Sequence, residues 1–261
     1  MSTALVRKVL QRTVGRMFYQ GEQSYYERPH FVKRLRTKIN QNWNENGTRM
    51  PFIMTAAECV AFWKSLDNAS LSTGNRPEVY ALKNRAIIDY LHAFWSPSVG
   101  VNDRILELGC NCGANLHWLS ELGYKHLAGV EINPRAIEQM DLSFPGLRGR
   151  APVDCGSLEE ILPRMKDQSV DVTFTMGVSM HIHPEANHLF TEIARISRSF
   201  ICTVEPEAAN SNYVFARNYK NVFEKLGFHE VKSELLFGEA YSHLKGYNTG
   251  CIARLLKRGN T

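Results

Sequence analysis

The run RILELGCNCGANLHWLSELGYKHLAGVEIN, residues 104–133, restricts the possible folds more than any other part of the chain. An apolar strand carrying Ile105, Leu106 and Leu108 ends in Gly109. A tight loop follows through Cys110, Asn111 and Cys112, and Gly113 opens a helix. A second apolar strand, Leu127 to Val130, closes on Glu131. Strand, helix and strand in about 30 residues make a βαβ unit with an acid at the end of the second strand. The glycines let backbone approach a ligand closely. A carboxylate twenty-two residues after Gly109 is placed to accept both hydroxyls of a ribose. The unit reads as a site for an adenosine ligand. The dinucleotide fingerprint needs three glycines, whereas here Gly109-x-x-x-Gly113 is followed by Asn115 and Leu116. The loop is therefore less suited to a pyrophosphate.

The alternation continues downstream. Strands are expected at 104–109, 127–131, 147–153, 170–176 and 199–204, with helices at 113–122, 134–142, 157–165, 184–196 and 215–226. Two final strands, 229–237 and 249–256, have no helix between them and can form an antiparallel hairpin. This is an α/β class: a seven-stranded, mostly parallel sheet with helices on both faces, its ligands beyond the carboxyl ends of the strands. Upstream, helical material fills much of 2–38, and the Asn-rich stretch NQNWNENGTRMP breaks the chain near 40–51. Thr55-Ala-Ala-Glu58 is a capping box that opens a short helix containing Phe62 and Trp63. Residues 67–77 read as loop, and Pro77 to Phe94 as the helix leading into the nucleotide unit. The chain divides into a basic helical extension, 1–76, that helps lid the site, and a ligand-binding domain, 77–261.

The string ELGCNCGANL resembles the first motif of class I S-adenosylmethionine-dependent methyltransferases, with Asn111 in place of the usual middle glycine. Asn is the side chain that best tolerates the left-handed region after Gly. Val130-Glu131 matches that family's second motif, and the resemblance runs from about residue 78 to 258. It implies a Rossmann-like sheet, S-adenosylmethionine as cofactor and S-adenosylhomocysteine as product. It also implies cofactor contacts from Glu107, Gly109, Cys110, Asn111, Gly113, Glu131 and Ile132. Gly156-Ser157-Leu158, after the third strand, would border the adenine, with Asp154 as a rival. Ser157 also fits a plain helix N-cap with Glu160 three residues on.

After the fourth strand, FTMGVSMHIHPE would bring Met176 and Gly177 to the methionine end of the cofactor. It resembles the VLxHI-type fourth motif of small-molecule and glycan methyltransferases, not the (D/N/S)PP(Y/F) motif of enzymes acting on exocyclic amines. His181 is the candidate general base, since imidazole titrates near neutral pH. The competing reading is that it only hydrogen-bonds loop backbone. His183, before Pro184, reads as structural. Glu205, Arg217 and Tyr219 are candidate substrate contacts on a pattern that resembles bacterial surface-sugar or capsule methylases, against a reading as caps and surface pairs. Tyr80, with Arg76, precedes the first strand and is a further candidate.

Charge is uneven. The chain carries +5 overall. Residues 1–50 hold ten Lys/Arg, among them Arg28 and Arg49, against three Glu, a net +7, so the remainder carries −2. Leu5, Val6, Val9, Leu10, Thr13, Met17 and Phe18 share one helical face, with Arg7, Lys8, Arg12 and Arg16 largely opposite. Three readings follow: a packing helix with a solvated basic face, an anchor for an anionic surface or substrate through residues 1–38, or an organellar transit segment. No apolar run approaches the roughly 18 residues of a membrane span. Six scattered cysteines, with no CxxC pair, suggest a reducing, cytoplasmic setting, with peripheral membrane contact as an option. No carboxylate or Cys/His cluster has metal-site spacing, so no metal is expected. The favoured activity is O-methylation of a small polar or glycan-type acceptor. The alternatives are N- or RNA methylation using the basic segment, and a catalytically silent cofactor-binding partner protein.

Overall fold

The computed structural model describes residues 3–27, 31–48, 50–65, 76–82 and 85–259. The basic residues Arg28 and Arg49, and all but the end of the loop expected at 67–77, lie outside the described residues. Seven strands form one sheet: β1 (Arg104–Leu108), β2 (His126–Glu131), β3 (Val153–Cys155), β4 (Val170–Met176), β5 (Ser197–Glu205), β6 (Phe228–Phe237) and β7 (Thr249–Arg258). Their order is β3-β2-β1-β4-β5-β7-β6. The first five strands run parallel, while β7 is antiparallel to both β5 and β6. The strand order reverses between β1 and β4, which opens a crevice beyond their carboxyl ends.

The helices are α1 (Thr3–Leu10), α2 (Arg16–Phe18), α3 (Glu22–Glu27), α4 (Phe31–Glu45), α5 (Ala56–Lys64), α6 (Pro77–Tyr80), α7 (Ala86–Trp95), α8 (Ala114–Glu121), α9 (Pro134–Ser143), α10 (Leu147–Arg150), α11 (Leu158–Ile161), α12 (His188–Ile196) and α13 (Tyr219–Glu224). A π-helical turn, Gln11–Gly15, joins α1 to α2. Alternate residues of the central strands feed opposite cores, because successive side chains of a strand point to opposite faces. Ile105 and Phe174 pack with Ile88, Leu91, Trp95 and Leu116 on one face. Leu106 and Leu108 pack with Phe190, Ile193 and Phe223 on the other. Both faces are covered, so β1 and β4 are nearly continuously buried.

Four sequence expectations are corrected. The strand expected over 147–153 is reduced to Val153–Cys155. Gly146, at φ +78°, starts the short α10, whose Leu147 plugs the core. The helix expected over 215–226 begins only at Tyr219, where the Asn218 side chain caps it. Residues 215–218 are held off the helix because Phe215 N–H donates to the Met180 carbonyl and Arg217 is buried. The Asn-rich stretch does not break the chain at 40, since α4 continues to Glu45. There Asn40 donates to the Phe18 carbonyl and Asn44 to the Ala216 carbonyl, so tertiary bonds outweigh weak helix propensity. Finally, the apolar face of the first helices does not all pack. Leu10 and Phe18 join a small core with Phe52, Ile53, Cys59 and Phe215, whereas Leu5, Val6, Val9 and Met17 are exposed.

The extension is docked by polar bonds as well as by that core. Gln20 and Asn210 exchange backbone hydrogen bonds, and Glu22 accepts from Ala208 N–H. Met54 N–H donates to the Asn212 carbonyl. Arg7 and Glu58 form a salt bridge, and the Thr55/Glu58 capping box opens α5 as expected.

Candidate active site

A cleft of about 1060 Å³, open mouth included, lies beyond the carboxyl ends of β1, β2 and β4. Its floor comes from Gly109, Asn111, Val130, Glu131, Ile132 and Asn133, and one wall from Gly156, Ser157 and Leu158. Met176, Gly177 and Val178 follow β4, with Tyr80 beside them. The opposite wall is built by α5, through Ala56, Cys59, Val60 and Trp63, and by His181, Ile182, His183 and Leu189.

Glu131 organises the floor. Its Oε2 accepts from Asn111 N–H at 2.7 Å and its Oε1 from Asn133 N–H at 2.8 Å. Burial raises its carboxyl above the usual range. Ile132 N–H also bonds the carboxylate, so three of its roughly four acceptor sites are engaged and capacity for a hydroxyl remains. Asn111 stands at φ +51°, the left-handed conformation inferred for it, and its Oδ1 accepts from Cys112 N–H. Gly109, at φ +69°, is required by packing as well as by approach: a Cβ there would sit 2.6 Å from a Val178 methyl. Gly113 is likewise a packing glycine, held against Met140. Gly177, at φ +68°, faces open space in the cleft wall, so backbone is bare there.

Some expected contacts lie behind the wall. Glu107 is buried and accepts from Asn115 Nδ2 at 2.6 Å; that amide also donates to the Tyr80 hydroxyl at 3.1 Å. The Cys110 thiol is buried against Gly129. Ser157 lines the cleft and also caps α11, in a complete capping box with Glu160. Asp154 is exposed and outside the cleft.

Three of the four candidate substrate contacts are corrected. Glu205 is buried at the end of β5. Its oxygens accept backbone N–H groups from Val178, Ser179 and Met180, and burial pushes its carboxyl up to about 7. It shapes the loop carrying His181 from beneath. Arg217 is fully buried and donates to the Ile182 carbonyl at 2.7 Å and to Asn187 Oδ1 at 2.9 Å, between the Phe190 and Phe215 rings. Tyr219 is fully buried against Phe190. Tyr80 alone of the four lines the cleft.

The two histidines differ in their bonds. His183 uses both ring nitrogens: Nε2–H donates to the Met54 carbonyl at 3.0 Å, and Nδ1 accepts from Glu185 N–H. His181 Nδ1 lies 2.9 Å from the Tyr213 carbonyl. A carbonyl only accepts, so Nδ1 carries the proton and Nε2 keeps a lone pair. Nε2 is shielded from solvent and has no partner among the described residues. Desolvation lowers the His181 pKa to about 4.

Sequence reasoning missed α5 as a wall, and Tyr213 as the partner that fixes the His181 tautomer. The first signal was present: positions 56, 59, 60 and 63 follow the i, i+3, i+4, i+7 spacing of one helical face. The second is a contact between residues 32 apart with no local signature.

Residues 105–199 match the family model described as a methyltransferase domain. The matched stretch runs from β1 into β5, a little over a third of the chain, and over it the chain is similar to that family. The fold is shared with magnesium protoporphyrin IX methyltransferase from Synechocystis, whose structure holds S-adenosylhomocysteine. That match has a TM-score of 0.55 at 10% identity over 78% of this chain and 100% of the other. The same enzyme with S-adenosylmethionine gives a TM-score of 0.52 at 12% identity over 85% and 97%. Geranyl diphosphate C-methyltransferase from Streptomyces coelicolor, with Mg2+, geranyl diphosphate and S-adenosylhomocysteine, gives 0.56 at 10% identity over 78% and 97%. No curated protein sequence matches the chain. Among the described residues, no three His, Cys, Asp or Glu side chains gather to hold a metal ion. No described helix is long and apolar enough to cross a membrane.

Proposed function

We propose that this protein methylates a hydroxyl group of a small acceptor, glycan-type acceptors included, with S-adenosylmethionine as donor and His181 as general base. The residues of the cleft fit such a cofactor. Glu131 keeps acceptor capacity toward the ribose, Ser157 and Leu158 wall the adenine side, and bare Gly177 backbone flanks the methionine end. When bound, the cofactor supplies an electrophilic methyl group on a sulfonium.

The observation that carries the reading is the His181 ring. The Tyr213 carbonyl holds the proton on Nδ1, so the Nε2 lone pair is the free site. Its lowered pKa keeps the ring neutral at physiological pH. Nε2 can then take the proton that the acceptor hydroxyl gives up on methylation. Glu205 positions the loop that presents His181. The α5 wall brings one helix of the extension to the cleft, which supports a lid role for the extension.

Among the described residues lining the cleft none is Lys or Arg, which speaks against a phosphate-rich acceptor such as RNA inside it. The exposed Leu5, Val9 and Met17 beside Arg12 and Arg16 support contact with an anionic surface outside the cleft. The test is methyl transfer from labelled S-adenosylmethionine into a panel of small alcohols, phenols and glycosides. Tight S-adenosylhomocysteine binding with no transfer to any of them would favour the silent-partner reading.

A further inference from the structure

Trp63 lies on the cleft face of α5 and its ring packs on His181, with centroids 4.2 Å apart and planes tilted by 50°. Its indole Nε1–H is shielded from solvent and has no acceptor among the described residues. A buried donor without a partner is destabilising, because it has lost its water and gained no acceptor. A few ångströms away the buried His181 Nε2 is an acceptor without a donor. The two unmet groups are opposite in kind, and the side chains that carry them line one cleft. A hydroxyl answers both, because its oxygen accepts while its hydrogen donates.

The surroundings narrow the class further. Tyr213 stacks with His181 at 5.9 Å and 16°, and Phe62 packs against both Trp63 and Tyr213. Cys59 completes the α5 wall as a neutral thiol, since burial pushes it up to about 12. This end of the cleft offers flat rings and apolar walls, with no Lys or Arg among the described lining residues to pair an anion. A charged acceptor group would be desolvated there without compensation.

We propose that Trp63 is an acceptor-positioning residue: with His181 it brackets an uncharged hydroxyl carried on a body with a flat apolar face. This rests on the hydroxyl-methylation reading and names the class of acceptor. Two sources share that chemistry, a phenol and a pyranose presenting its C–H face.

The test uses the full chain with S-adenosylhomocysteine, and phenol, methyl glucopyranoside, benzoate and inorganic phosphate as probes. The chain has four tryptophans, so the 15N-labelled protein gives few indole N–H signals, and Trp63→Phe assigns the one wanted. Phenol or the glycoside should shift the Trp63 indole signal. Trp63→Phe keeps a ring but loses the donor and should weaken that probe roughly tenfold, the worth of one buried hydrogen bond. S-adenosylhomocysteine affinity should stay within about twofold, a range far below that single-bond effect. Which neutral probe binds distinguishes the two sources. The proposal is overturned if no neutral probe shifts the signal, if Trp63→Phe binds the probe as well as wild type does, or if benzoate or phosphate binds equally well. A probe that binds as expected but is never methylated sinks the proposed reaction and leaves the site standing.

Discussion

Replacing Glu131 by Ala separates two jobs that one carboxylate performs. In the unliganded protein it holds the Asn111 and Asn133 N–H groups at 2.7 and 2.8 Å. Leaving a buried donor unmet costs about 1–3 kcal/mol. Asn133 is buried and Asn111 only half-buried, so water can partly rescue the second. A loss of about 2–4 kcal/mol is expected, which at about 2–4 °C per kcal/mol for a protein of this size lowers the melting midpoint by roughly 5–15 °C. The ligand term is separate. Losing charged hydrogen bonds to the ribose should cost about 1.5–3 kcal/mol, or roughly 10- to 150-fold in Kd. Glu131→Gln keeps one acceptor oxygen but turns an NH₂ toward the other backbone N–H. It should recover about half the stability and little of the affinity. Urea unfolding of the free protein and calorimetric titration with S-adenosylhomocysteine measure the two terms. A folded Glu131→Ala protein whose Kd lies within about twofold of wild type would refute the assignment.

His181→Ala should cut turnover by roughly 10²–10⁴ with near-normal cofactor affinity, whereas His183→Ala should chiefly lower stability, since both its ring nitrogens are bonded. Full His181→Ala activity across neutral pH would sink the base. Gly109→Val should damage both fold and binding, because its Cβ would meet Val178 at 2.6 Å on a left-handed backbone. Gly177→Ala has open space and should lose only the left-handed cost of about 1–2 kcal/mol. Equal melting midpoints for the two variants would contradict this. Turnover should survive chelator, as no described cluster offers ligands for a metal; loss restored by magnesium would overturn that. The His181 pKa falls from 6.5 in the unfolded chain to about 4 in the fold. The unfolded state therefore binds the extra proton first, and stability drops by about 3 kcal/mol as pH falls from above 6.5 through 4. Wild type and His181→Phe should diverge across that window in pH-dependent unfolding, and parallel curves would count against it.

The βαβ unit was legible in the sequence because its signals are local. Apolar runs mark the strands, glycines mark backbone that must turn left-handed, and Glu131 ends its strand by register alone. The capping boxes at Thr55 and Ser157 were legible for the same reason, since each closes within three residues. What the sequence could not disclose depends on contacts between distant residues. Arg217 and Glu205 look like surface groups in a loop, yet buried carbonyls and N–H groups elsewhere in the chain call them inward. Asn40 and Asn44 look like helix breakers until the segments they bond are in place. The apolar face of α1 looks like core, and only packing decides that Leu10 goes in while Val9 stays out. His181 could be read from the sequence as a histidine near a pocket. Tertiary structure alone sets its tautomer, through a carbonyl 32 residues away, and lays Trp63 of the N-terminal extension across it.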